Sequence, residues 1–95
     1  MMVVGILKLH IHLAGCSSLK EKRGRLKPLL TRLRREFNIS AAEIDYLDVW
    51  KDAAIACTMV SNDHKHVQRS LQKITGWVER NWPDVDVVDD EIELV

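Results

Sequence analysis

Three sets of side chains in this 95-residue chain have types and spacings that can do chemistry. His10 and His12 stand two apart, which on a strand puts both imidazoles on one face. Such a pair can form part of a metal site, but zinc needs a third and usually a fourth ligand. None lies at a recognisable spacing, so the pair reads as polar residues on an open sheet face and no metal is expected. Cys16 lies before a helix, where a thiol pKa falls, but no base is placed beside it. It reads as a plain loop thiol, and Cys57, in an apolar run, as a small core residue. The third set is basic. Lys20, Lys22, Arg23, Arg25, Lys27, Arg32, Arg34 and Arg35 lie between Lys20 and Glu36 with only two acids, an excess of six positive charges. A solubilising face normally mixes both signs. A one-sign excess on one helix fits a polyanion, with Lys20, Lys22, Arg23, Lys27 and Arg34 as the candidate phosphate contacts.

The total charge is zero, because Asp84 to Val95 carries six acids and no base. That segregation allows a rival use of the basic helix, in which it meets the acidic last strand of another copy.

The elements that must position these groups follow from periodicity. Val3 to Leu13 alternates, with Val3, Leu7, Leu9, Ile11 and Leu13 on one face beside Gly5. Ser18 and Glu21 form a capping box, with Glu21 able to reach back to the cap amide. Leu19, Leu26, Leu30, Leu33 and Phe37 then trace the stripe of a helix. Pro28 falls inside it. Its ring presses on the carbonyl of Gly24, so a kink is expected there and not a stop. Asn38 is expected to end the helix in a left-handed conformation. Ala42 to Trp50 reads as a second strand and Ala53 to Val60 as an inner third one. Ser61-Asn62-Asp63 caps a second helix with the stripe Val67, Leu71, Ile74 and Val78. Val85 to Val95 is acidic and reads as an edge strand.

The order β-α-β-β-α-β makes one α+β domain over residues 1–95. It is a ferredoxin-like plait, with two helices on one face of a four-stranded antiparallel sheet whose first and third strands are central. Composition, 46% hydrophobic and 29% charged, is that of a folded globular chain. No apolar run approaches a membrane span. The N-terminal run lacks a basic n-region and a cleavage site, so it is not read as a signal peptide. Two widely spaced cysteines read as free thiols in a reducing cytoplasm.

Absences narrow the functions that this fold hosts. Acylphosphatases place a glycine-rich loop with an anion-binding arginine after the first strand, where this chain has Ala14-Gly15-Cys16-Ser17. RRM domains stack bases on aromatics of the two central strands, and here neither strand has one. No Cys-x-x-Cys or phosphate-binding glycine motif is present. No catalytic residues, cofactor or small-molecule substrate are identified, and the chain is read as no enzyme.

Ser18-Leu19-Lys20-Glu21-Lys22-Arg23, then Phe37-Asn38-Ile39-Ser40, Ala42-Glu43, Asp48, Trp50 and Ser61-Asn62-Asp63, resemble the bacterial YlxP-like family of uncharacterised small proteins. The resemblance spans nearly the whole chain and implies the same plait. Genes of that family often lie beside those for translation initiation and ribosome maturation, which implies, by association, a role near ribosomal RNA. The reading is therefore a cytoplasmic accessory protein that contacts RNA backbone, with ribosomal RNA or a ribosomal subunit as partner. The alternative is an interaction or regulatory domain that works as a homodimer through its sheet, without nucleic acid. Val4 and Ile6 on the open face, with three tryptophans, favour dimerisation.

Overall fold

The alternating N-terminal run forms strand β1 (Val3–Leu13), buried at every second residue. The computed structural model describes residues 1–95. Helix α1 (Leu19–Glu36) and strands β2 (Ser40–Asp45) and β3 (Asp52–Ser61) follow, then helix α2 (His64–Asn81) and strand β4 (Val85–Leu94). The sheet order is β2-β3-β1-β4, all neighbours antiparallel. This is the ferredoxin-like plait, with β1 and β3 central and acidic β4 at an edge. Leu26, Leu29 and Leu33 of α1 share one core with Val67, Leu71, Ile74 and Val78 of α2 and the inner face of β1 and β3. Both helices therefore cover the same sheet face, and the other face is open.

Local chemistry sets the ends. Ser18 Oγ accepts the Glu21 N–H at 3.0 Å. Glu21 reaches back one residue further than the capping box expects, accepting from the Ser17 N–H at 2.6 Å. That bond, foremost, holds the Glu21 carboxyl below its ordinary range. Asp63 caps α2 by accepting from Lys65 N–H at 3.0 Å. α1 runs unbroken through Pro28. Gly24 and Pro28 are both exposed, so the carbonyl that Pro28 cannot bond faces water. The helix ends differently from the expectation for Asn38. Phe37, in extended conformation, closes it by donating to Leu33 O, and Tyr46 is the one non-glycine residue at positive φ.

Three further expectations are corrected. The stripe of α1 that meets the sheet is Lys22, Leu26, Leu29 and Leu33. Leu19 and Leu30 sit half-buried beside it. β2 ends at Asp45, not Trp50, because Tyr46 turns to φ 60 and starts a β-turn closed by Val49 N–H on Tyr46 O at 2.9 Å. Cys16 does lie in the loop between β1 and α1, but its side chain is buried in the core, with Sγ 3.5 Å from Ser18 O. Both cysteines are free, and burial pushes the Cys57 thiol up to about 12.

α2 packs directly on the backbone of β1. A Cβ at Gly5 would collide with Val67 Cγ1 and sit 2.7 Å from Leu71 Cδ1. Gly5→Ala should therefore destabilise the fold by roughly 1–3 kcal/mol through overpacking. Urea unfolding measures it, with an unchanged midpoint as the contrary result.

Candidate functional site

The basic residues of α1 sort into engaged and unengaged groups once their partners are known. Lys22 is 1% exposed and lies in the core-facing line. Its Nζ donates to Tyr46 O at 2.6 Å and to Val49 O at 2.8 Å. It also sits 2.8 Å from Glu43 Oε2. That carboxylate oxygen is buried and makes no well-formed hydrogen bond, so Lys22 supplies it with charge more than direction. Lys22 was expected among the phosphate contacts. It cannot be one, because its three donors point inward at the β2–β3 connection.

Arg25 is engaged as well. Its guanidinium donates to Ala14 O at 2.9 Å and Asp84 O at 2.7 Å, tying the end of β1 to the start of β4. Arg32 lies 5.6 Å from the Trp77 ring centroid and 6.0 Å from that of Trp82, and 3.4 Å from Glu36. Phe37 meets Trp77 edge-on, so two of the three tryptophans are covered within the helix layer.

Lys20, Arg23, Lys27 and Arg35 make no ion pair or side-chain hydrogen bond and are exposed. Arg34 donates to Ala41 O at 2.6 Å on the edge strand and stays exposed, with no ion pair. At about 100° per residue, these five bases fall within one outer arc that holds no acid. Gly24 and Thr31 share that arc. A Cβ at Gly24 would touch nothing, so the surface there is low and open. Arg23, Lys27 and Arg34 line a shallow hollow of ≈ 360 Å³ between α1 and β2, together with Leu26, Leu30 and Glu43, the carboxylate paired with Lys22. Of the expected contacts, the structure thus brings Lys20, Arg23, Lys27 and Arg34 to one surface and withdraws Lys22.

The acidic strand does not oppose this arc. Three strand spacings of about 4.8 Å put β4 roughly 14 Å from β2 across the sheet, beyond a Debye length of about 10 Å at 0.1 M salt. Glu93, Glu91 and Asp89 pair with Ile6, Lys8 and His10, so they point to the open face, away from the helices.

His10 and His12 share that open face and converge on Asp52. His10 Nε2 donates to Asp52 Oδ1 at 2.9 Å, and His12 Nδ1 lies 3.6 Å from the same oxygen. Foremost the His10 bond, and then His12, holds the Asp52 carboxyl below its ordinary range. The tie therefore holds at neutral pH and is lost as acid protonates Asp52. His10 also stacks on Tyr46, with centroids 5.0 Å apart. No group of three or more His, Cys, Asp and Glu side chains is arranged to hold a metal ion, and no helix is long and apolar enough to cross a membrane.

Sequence reasoning missed the role of Lys22 and the exposed β2–β3 connection. A signal for the first was present: Lys22, Leu26, Leu29 and Leu33 repeat at 4, 3 and 4, a stripe that includes the lysine.

A model of the family described as "Protein of unknown function (DUF503)" matches residues 4–92, and the chain belongs to that family. The "Uncharacterized protein YlxP" of Bacillus subtilis (strain 168) is 30% identical over 84 residues, 88% of this chain and 90% of that one. Among solved structures, "De novo designed protein Foldit4" shares the fold alone. It has a TM-score of 0.56 and 12% identity over 100% of this chain and 97% of that one.

Lys22→Ala should cost about 3–5 kcal/mol, because it strands the Glu43 carboxylate and two carbonyls. In a double-mutant cycle, Lys22→Met with Glu43→Gln should cost less than the two single changes combined. Urea denaturation of the four proteins reads this. Additive losses would mean that the pair does not interact.

Proposed function

We propose that this DUF503 protein is a non-catalytic accessory factor that binds RNA backbone through the outer arc of α1, on ribosomal RNA or a ribosomal subunit. The observation that carries the reading is the partition of the helix's bases. The fold engages Lys22, Arg25 and Arg32, yet leaves Lys20, Arg23, Lys27 and Arg35 without partners and Arg34 tied only to a main-chain carbonyl, on a surface whose one neighbouring carboxylate, Glu43, is already paired with Lys22. Five like charges side by side repel one another, and a phosphate chain relieves that repulsion by neutralising them with release of counterions. The open ground at Gly24 and the hollow beside β2 let a backbone approach closely. The position of the family's genes beside those of translation supports the choice of RNA. The absence of base-stacking aromatics on β1 and β3 supports recognition without sequence preference.

A second reading is a homodimer formed through the open sheet face, without nucleic acid. What favours it is Val60, 64% exposed, paired with Val4 on the open face. Val4 and Ile6, expected to drive it, are already half-buried.

A salt titration of binding to bulk ribosomal RNA separates the two. The wild-type protein should lose affinity with a log–log slope of roughly −3, about −0.7 for each of four or five contacts. Lys20→Glu, Arg23→Glu and Lys27→Glu together should remove most of the affinity and flatten the slope. Arg25→Gln, which alters an engaged base, should leave the slope unchanged. Triple reversal without effect, with light scattering that gives a dimer, would favour the second reading.

A further inference from the structure

The β2–β3 connection presents the largest run of exposed apolar side chains within the chain. Tyr46, Leu47, Val49 and Trp50 are 39%, 58%, 42% and 51% exposed, within five residues. Beside them Ile44, 47% exposed, is the residue skipped by the β2–β3 register. Soluble proteins rarely leave such a patch uncovered without using it.

This tip is built, not loose. Tyr46 holds φ 60, a conformation that a tyrosine adopts only when its surroundings impose it. Those surroundings are specific. Asp45 Oδ1 accepts the Tyr46 N–H at 2.8 Å, Lys22 and Val49 N–H share its carbonyl, and His10 stacks on its ring. A buried ammonium thus fixes from beneath a turn whose upper side is apolar and wet. A preorganised surface binds without the entropy of ordering itself first.

Charge selects the occupant. Asp45, Asp48 and Asp52 ring the tip, against Lys51 alone. Next to Tyr46 a hollow of ≈ 300 Å³ is lined by Asp45, Asp89 and Glu91, against Lys8 and His10, the latter already bonded to Asp52. RNA and anionic membranes are repelled by this rim. A second copy could offer its basic α1 arc, but that arc has no strongly exposed apolar side chain to cover Leu47 and Trp50. Such a contact would also be head-to-tail, giving a ring or an open chain and not a twofold dimer. We infer that the Tyr46–Trp50 tip is a docking site for a basic polypeptide segment of a partner protein, its apolar residues covering Leu47 and Trp50 and an arginine entering the acidic hollow beside Tyr46. The site is separate from the α1 arc and stands whether or not that arc binds RNA.

The test is a titration of the ¹⁵N-labelled full chain with three ~12-residue peptides, one of alternating Arg and Leu, one of Glu and Leu and one of Arg and Ser. The Arg–Leu peptide should shift the amides of residues 44–52 and the Trp50 indole. The other two should bind at least roughly tenfold more weakly, since both anchor and charge are needed. Leu47→Ser and Trp50→Ala, whose side chains are exposed and leave the remaining spectrum in place, should each weaken binding by roughly tenfold. Asp45→Asn with Asp48→Asn should weaken it and reduce its salt dependence. The inference is overturned if the Glu–Leu peptide binds as well. It is equally overturned if no shift occurs at ~1 mM peptide or the shifts map to α1 or the open sheet face. Ribosomal RNA shifting residues 44–52, or self-association that Trp50→Ala abolishes, would also overturn it.

Discussion

An ammonium group withdrawn from water must be surrounded by acceptors, and the arrangement of α1, β2 and the β2–β3 connection follows from meeting that demand at Lys22. Isolated burial of such a charge is prohibitive. Lys22 meets two main-chain carbonyls and one carboxylate, all within 2.8 Å. Each partner is in turn positioned by the fold. Glu43 points from β2 toward the helix, and the carbonyls of Tyr46 and Val49 are brought together by a turn that needs a left-handed tyrosine. The lysine does not simply fill the core. It couples the depth of α1 on the sheet to the conformation of an exposed tip.

The same economy of partners organises the surface. Arg25 joins the ends of β1 and β4, and Arg32 covers the tryptophans between the helices. What is left over is polarised: bases on the outer arc of α1, carboxylates on β4 and around the tip. Zero net charge conceals two surfaces of opposite sign at different places on a small plait. A target that offers both phosphate and basic polypeptide would satisfy both, and a ribonucleoprotein surface has that character.

Most of the plait was legible because its signals are periodic. The β1 alternation, the α2 stripe and the Ser18 and Asp63 caps act locally and appear where expected. What failed was long-range. Ile44, Tyr46 and Trp50 alternate as a strand would, but Lys22, more than twenty residues earlier, captures the carbonyls at Tyr46 and Val49 and turns the chain away from the ladder. Asn38 has the residue type of a helix terminator, yet Phe37 closes α1 in an extended conformation, its N–H on Leu33 O and its ring edge-on to Trp77. By charge Lys22 belongs with the other bases, but its spacing belongs with the leucines. Lys20, Arg23, Lys27 and Arg34 were legible because an exposed helix face needs only the 3.6-residue period to be read.

The residues that carry the likeness to the YlxP-like family take on a physical meaning in this frame. Ser18 and Glu21 start α1 in the phase that points Lys22 inward, and Asp48 and Trp50 ride on the turn that Lys22 holds. The most direct measurement is ¹⁵N NMR of the lysine side-chain ammonium groups in the folded protein at neutral pH. The Lys22 ammonium should be visible and protected from exchange, with contacts to the turn at Tyr46 and Val49, while the other lysines exchange fast. All lysines exchanging alike, with the turn at 46–49 unchanged in Lys22→Met, would contradict the account.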